Sequence, residues 1–272
     1  MACIQPSPEL SYVLGAILGD GDFYKLRANA KHGVAYRIRL RVKDYDFIDE
    51  VNKCISKVKN RGAPYPVKEI PVSRTAWGKG TIFKLEAYSK EIYNILVDES
   101  KIHIIAKCFP ESFVKGFADA EGGVYHNKRK TRKSFERWVH LTNTNLAILQ
   151  FISHLLNRMG IKPKIHSRRD SRSGSVVYSL VIRRNIDLLK FAENIGFRIK
   201  RKMSKLKDAC RSIMILRKDM PPRVELVNLA NQGYTTHQIA EIYGISQPTA
   251  SLWLRKAGVN RGRGGWQNWR QS

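Results

Sequence analysis

Ser7-Pro8-Glu9-Leu10-Ser11-Tyr12-Val13-Leu14-Gly15-Ala16-Ile17-Leu18-Gly19-Asp20-Gly21-Asp22 is echoed later by Phe109-Pro110-Glu111-Ser112-Phe113-Val114-Lys115-Gly116-Phe117-Ala118-Asp119-Ala120-Glu121-Gly122-Gly123. Both stretches start on Pro-Glu, which suits the first turn of a helix. Both then carry two small residues four apart, Gly15/Gly19 and Gly116/Ala120, followed by an acid and a glycine. Asp20 and Glu121 stand 101 residues apart, a plausible length for one duplicated half. Small residues at this spacing leave a flat stripe on which a second backbone can approach closely. Two such helices packed stripe to stripe bring Asp20 and Glu121 together at their C-terminal ends. A single copy is more often an ordinary helix end; two copies followed by matching strands favour a paired site. Carboxylates that close repel unless protons or cations intervene, and oxygen-only ligands favour a hard cation such as Mg²⁺. Metals so placed would activate water on one side of a phosphodiester and stabilise the leaving oxygen on the other.

The segments after each motif also match. Residues 35–43 alternate, with Tyr36, Ile38, Leu40 and Val42 on one side and Arg37, Arg39, Arg41 and Lys43 on the other. That is a strand with an apolar face on a core and a basic face toward an anion. A helix over 46–57 and a strand over 81–87 follow. In the second half a strand is expected at 135–143, a helix at 145–159 and a further strand at 176–183. A hairpin-like Ser171–Gly174 precedes that strand, and a helix at 186–194 follows it. Each half thus reads as α, strands, α, strands, α, a mixed α+β unit. The expected division is 1–105 and 106–215 for the halves, 222–260 for a small all-α domain set off by Pro221-Pro222, and 261–272 for a basic flexible tail.

Composition limits the partners. Lys plus Arg number 49 against 23 Asp plus Glu, a net charge of +26. An excess of that size points to a nucleic-acid backbone before an anionic membrane or mere solubility. There is no apolar run near the ~20 residues of a membrane span and no signal-peptide pattern, so an intracellular protein is expected. Cys3, Cys54, Cys108 and Cys210 lie far apart without metal-type spacing, which argues for reduced thiols and against zinc. His103, His126, His140, His154 and His166 lack metal-like spacing too and read as structural or DNA-facing.

Val13–Gly21 and Val114–Gly122 resemble the two motifs of the LAGLIDADG homing endonucleases, in the single-chain, two-motif form, and the resemblance covers roughly residues 7–200. It implies two pseudo-symmetric αββαββα halves forming a saddle over double-stranded DNA, which a monomer cuts at a long specific site with Mg²⁺ or Mn²⁺. By the same resemblance Asp20 and Glu121 bind the metals, with Gly19 and Ala120 beside them. Arg37, Arg39, Arg41, Lys84 and Arg183 line the DNA surface. The family's basic or amide residues near the scissile phosphates fall on Lys43 with Asn143, and on Lys90 with Arg184, where they position water or stabilise charge. The chain departs from the pattern at Val42, where the family often has Gln, and at Lys115, a lysine in the helix interface. It neither begins with a splicing Cys or Ser nor ends in His-Asn, so a free-standing, intron-encoded enzyme is expected rather than an intein.

Beyond Pro222, a helix over 223–233 precedes Thr236-His237-Gln238-Ile239-Ala240-Glu241-Ile242-Tyr243-Gly244-Ile245-Ser246-Gln247-Pro248-Thr249-Ala250-Ser251-Leu252-Trp253-Leu254-Arg255. Gly244 for a left-handed turn, Ser246 as cap and Pro248 in the first turn give this the look of a helix-turn-helix. Gln247, Thr249, Ser251 and Arg255 are left for DNA; the alternative is a small bundle for protein contacts. Arg261, Arg263, Trp266, Trp269 and Arg270 in the tail would add phosphate or stacking contacts if ordered. Two other functions compete with the nuclease: a non-cleaving DNA-binding regulator, and an RNA maturase for a host intron.

Overall fold

A computed structural model describes residues 4–27, 33–72, 80–128, 135–170, 174–216 and 220–259. The chain divides into two compact units, Met1–Cys210 and Arg211–Ser272. The first unit opens with α1 (Pro8–Asp20), β1 (Gly21–Arg27), β2 (Val34–Val42), α2 (Tyr45–Val58), β3 (Val67–Val72), β4 (Gly80–Tyr88) and α3 (Lys90–Leu96). After a linking helix α4 (Glu99–Cys108) the order recurs as α5 (Pro110–Glu121), β5 (Gly122–Lys128), β6 (Phe135–Asn143), α6 (Leu146–Arg158), β7 (Lys164–Arg169), β8 (Val176–Ile182) and α7 (Asn185–Asn194). Each half forms one antiparallel four-stranded sheet, in the orders β1-β2-β4-β3 and β5-β6-β8-β7. This is the α+β, twice-repeated αββαββα arrangement expected from the motifs. The linking helix α4, which the sequence reading lacked, runs across the expected boundary between residues 105 and 106.

Local chemistry explains the two central helices. Ser7 caps α1 by accepting from the Leu10 N–H at 3.1 Å, and Pro8 occupies the first turn, where its missing donor is not needed. Pro110 does the same for α5. The helices meet through their small residues. A Cβ on Gly15 would fall inside contact distance of the Phe113 carbonyl oxygen and 2.9 Å from the Phe117 nitrogen. A Cβ on Gly116 would collide in the same way with the Tyr12 carbonyl and would lie 3.0 Å from the Ala16 nitrogen. Tyr12 and Phe113 are themselves 101 residues apart, so the contact is twofold in character. Lys115, the lysine in this interface, stays half-buried, with burial holding its pKa below the usual lysine value.

Around this pair the alternating strands bury their apolar faces. Ile38, Leu40, Leu85 and Ala87 pack with Phe47, Ile48, Val51 and Ile55 of α2, and all are at most 1% exposed. Val139, Leu141, Leu180 and Ile182 do the same with Leu149, Ile152 and Leu156 of α6.

α8 (Lys200–Leu216) carries the chain across the division between the units. In the second unit α9 (Arg223–Asn231), α10 (Thr236–Ile242) and α11 (Gln247–Lys256) enclose Leu226, Ile239, Ala240, Ala250, Trp253, Leu254 and Ala257. Thr235 and Gln238 cap α10 reciprocally, Gly244 turns with φ +56°, and Ser246 caps α11. Ser171–Ser173 of the expected hairpin and residues 260–272, including Arg261, Arg263, Trp266, Trp269 and Arg270, lie outside the described residues. Among those described, no helix is long and apolar enough to cross a membrane.

Gly15→Ala tests the helix contact. Alanine's better helix propensity should be outweighed by overpacking, lowering stability by about 1–3 kcal/mol in urea unfolding. Gly62→Ala, whose added Cβ meets nothing within 4 Å, should leave the midpoint unchanged. A wild-type midpoint for Gly15→Ala would refute so tight a contact.

Candidate active site

The close packing of α1 on α5 fixes where both helices end. Asp20 closes α1 and Glu121 closes α5; Gly21 and Gly122 turn the chain directly into β1 and β5. A Cβ on Gly19 would overlap the Ala120 methyl and lie 3.1 Å from the Glu121 Cγ, so the last turns are in contact. The two acids are therefore neighbours. Burial raises the Glu121 carboxyl most, the nearby Asp20 charge raises it further, and together they push it up to about 7. Burial likewise raises Asp20, with Asp44 adding to it and Lys202 opposing.

The surroundings of the two acids differ. Asn143 at the end of β6 donates through Nδ2 to Glu121 Oε1 at 2.8 Å, and its own Oδ1 accepts from the Asn145 N–H at 2.8 Å. Gly21 pairs with Leu40 and Gly122 with Leu141, so the counterpart of Asn143 is Val42, which is buried and apolar. This corrects the expected pairing of Asn143 with Lys43: alternation puts Lys43 one residue out of register, exposed and on the opposite side of the strand. Lys90 is likewise offset from Arg184, because Ser89 and Arg184 are the residues that precede α3 and α7.

The structure does not bring Lys90 or Arg184 to the acids. The Ser89 N–H donates to the Tyr36 carbonyl, four residues back along β2 from Leu40. At ~3.3 Å per residue this is about 13 Å from the acid pair. Arg184 is at the same level on the second sheet, 3.4 Å from Asp187 and beside the Arg137–Asn185 hydrogen bond. Arg37, Arg39, Arg41 and Lys84 lie on the sheet face away from the core. There Glu86 is 2.9 Å from Arg37 and 3.0 Å from Lys84, and Asp22 is 2.8 Å from Arg39. Arg183 is exposed, 3.7 Å from Glu136. In the separate C-terminal unit, Gln247, Ser251 and Arg255 are exposed on one side of α11, while the Thr249 hydroxyl is 2.7 Å from that of Ser246.

Two residues of the site escaped the sequence reading. Asp119, 1% exposed, accepts from the Tyr12 hydroxyl at 2.8 Å and from the Arg198 and Ile199 backbone N–H groups at 2.9 and 3.2 Å. It thereby fixes the approach to α8; burial raises its carboxyl to about 6. Lys202, 7% exposed, then points its ammonium at the last carbonyls of α5, bonding Asp119 and lying 3.3 Å from Ala118 and 3.4 Å from Ala120. Burial lowers its pKa, while its charge in turn lowers those of Asp20 and Glu121. Arg201 beside it holds Asp44 with two hydrogen bonds of 2.7 and 2.6 Å. Asp119 is the extra acid of Ala118-Asp119-Ala120-Glu121, a detectable oddity in an apolar helix; Lys202 is one cation among many in a basic helix.

Among the described residues, no three His, Cys, Asp or Glu side chains cluster as a metal cage. The donor set at the paired helix ends is two carboxylates, all oxygen; of the two carbonyls expected beside them, that of Ala120 lies 3.4 Å from the Lys202 ammonium. The set fits a hard divalent cation that keeps waters and substrate oxygens as its remaining ligands.

The raised pKa has a consequence for pH. In divalent-free buffer the folded state holds the Glu121 proton to about 7, above the ordinary value of 4.5. Folding stability from this group is therefore complete below the unfolded value and is lost as pH rises toward 7. Glu121→Gln should melt higher than the wild type at pH 8, and the gap should shrink toward pH 5. A gap independent of pH would remove the assigned repulsion.

A family model for the LAGLIDADG-like domain matches residues 109–196. An uncharacterized protein of Methanocaldococcus jannaschii is 29% identical over 222 residues, 77% of this chain and 74% of its own. Homing endonuclease I-DmoI of Desulfurococcus mucosus is 30% identical over 191 residues, 68% of this chain and 86% of its own. The crystal structure of I-DmoI in complex with DNA and Mn matches with a TM-score of 0.51 and 26% identity, covering 70% of this chain and 97% of that one.

Proposed function

Since the chain belongs to the LAGLIDADG family, which includes the homing endonuclease I-DmoI, we propose that it cuts both strands of a specific DNA duplex with divalent metal ions. The observation that carries this reading is the placement of Asp20 and Glu121 side by side at the ends of two twofold-related helices, each leading straight into a sheet. A duplex has its own local twofold, so one acid serves each strand and a single chain suffices as a monomer. Asp20 and Glu121, with the Gly19 and Ala120 carbonyls, would hold Mg²⁺ or Mn²⁺. When bound, such an ion polarises the phosphodiester and makes a coordinated water acidic.

The chain's own groups do the rest. Asn143 fixes the direction of the Glu121 carboxylate, and Lys202 holds the turn of α5 that presents it. Lys43, exposed just past β2, would meet a phosphate near the acids, and Lys90 and Arg184 the backbone farther out. The charge of +26 supplies phosphate neutralisation and counterion release. In the second unit, α10 and α11 act as a helix-turn-helix, with Gln247, Ser251 and Arg255 of α11 facing the groove.

The deciding experiment incubates full-length protein with a randomised duplex library and Mg²⁺, beside Asp20→Asn/Glu121→Gln. Sequence-specific double-strand cuts are expected from the wild type and none from the variant, which should still bind. Specific binding without cuts from either protein would favour a DNA-binding regulator, and preferential binding of structured RNA a maturase. Arg255→Ala should weaken binding of long duplexes roughly tenfold, the order of a lost base or phosphate contact, without lowering the melting temperature.

A further inference from the structure

Because the two halves keep the same offset through their first two strands, their outward sheet faces can be compared position by position. Arg37, Arg39 and Arg41 of β2 correspond to Trp138, His140 and Thr142 of β6. On the next strand Lys84, paired with Arg41, corresponds to Ser179, paired with Thr142. The acids change with the bases. Asp22, bonded to Arg39 Nε at 2.9 Å, becomes Gly123; Glu86, bonded to Arg37 at 2.9 Å, becomes Val181. At these matched positions the second face lacks the cations and their carboxylate partners together, as a unit would.

The geometry says what each unit presents. The first-sheet guanidiniums are aimed before any ligand arrives. Arg37 lies over the Tyr24 ring at 4.3 Å and Arg39 at 5.4 Å, and the acids occupy only part of each fork. A guanidinium has five N–H donors, so a bonded carboxylate leaves several for a ligand. Such a fork matches the O6 and N7 acceptors of guanine in the major groove. On the second sheet Tyr125 and Trp138 stack at 3.8 Å and 10°, Arg183 lies over the Trp138 ring at 5.3 Å, the His140 ring covers Gly123, and the Thr142 and Ser179 hydroxyls are 3.2 Å apart. At these central positions that face offers ring edges and hydroxyls, which suit thymine methyls and single hydrogen bonds; its cations, Lys164 and Arg168 on the edge strand β7 and Arg183 beyond the end of β8, stand around them.

We infer that the target is chemically two-sided: the base pairs under the central strands β2 and β4 are rich in guanines read by Arg37, Arg39 and Arg41, and those under β6 and β8 are poor in them and read by Trp138, Thr142 and Ser179. The inference rests on the proposed DNA-endonuclease reading.

The test selects duplexes bound by the full-length Asp20→Asn/Glu121→Gln protein from a randomised library, so that cleavage does not deplete the pool. The same selection is run with Arg39→Ala, Arg39→Lys or Trp138→Ala added. One asymmetric consensus is expected, with guanines concentrated in one half. Arg39→Ala should reduce the preference for guanine in that half roughly tenfold or more. Arg39→Lys keeps the charge but not the fork, and should lose the same preference at nearly unchanged affinity. Trp138→Ala should relax the other half alone. Guanines spread evenly over both halves overturn the inference while leaving the endonuclease reading intact. So does an Arg39→Ala variant that binds all sequences more weakly without losing base preference, the mark of a phosphate contact. If no duplex sequence is enriched at all, the endonuclease reading falls and the inference with it.

Discussion

The first unit depends on a steric fact: two helices touch backbone to backbone because Gly15 and Gly116 have no side chains to hold them apart. The contact sets the distance between the two sheets' starting points, since β1 and β5 leave directly from the ends of these helices. It also sets the distance between Asp20 and Glu121. The same packing that stabilises the fold thus creates an electrostatic cost, and any function for the acid pair begins from that cost. A cation would remove it, which is why the site reads as a place to bind one rather than as a hydrogen-bonded carboxyl pair.

The protein offsets part of this cost itself, and does so unequally. Glu121 has the Asn143 amide; Asp20 has the apolar Val42 at the matching position. Lys202 reaches the end of α5 but comes from α8, outside the repeat. Its placement follows from Asp119, which has Leu18 as its counterpart and gathers the backbone leading into α8. Twofold symmetry in the helices therefore coexists with asymmetry in the charges around them. A centre so built is chemically unequal on its two sides.

How far the sequence could be read follows from which interactions are local. The helix motifs were legible because small residues four apart, an acid and a glycine make a linear pattern. The basic face of β2 was legible because alternation is a property of one strand. Strand register across a sheet is not, and so Lys43 was matched to Asn143 where the pairing of Gly21 with Leu40 and Gly122 with Leu141 matches Val42 instead. Lys90 and Arg184 adjoin short helices that begin at the far ends of β4 and β8, a placement fixed only by the antiparallel pairing. Lys202 was invisible for a different reason: its role depends on a contact made 82 residues away by Ala120, and nothing in a run of lysines and arginines marks the one that is buried.

The register of the repeat shows which parts of each half the site constrains. Tyr12 and Phe113, Asp20 and Glu121, Leu40 and Leu141, Val42 and Asn143, and Asp44 and Asn145 all keep one offset of 101. Beyond α2 and α6 the offset drifts: Val67 pairs with Leu85 as Ile165 does with Leu180, so the offset falls to 98 and then to 95 and the second half is the shorter. The constant block is the one whose ends meet at the acid pair, helix into first strand and second strand back to the pair. A residue inserted there would turn the whole second strand over, because side chains alternate with period two. It would bury the arginines and move Val42 or Asn143 off the acid. Later strands can lengthen or shorten their loops without that penalty, so the geometry of the site, more than the size of the fold, accounts for where the two halves agree.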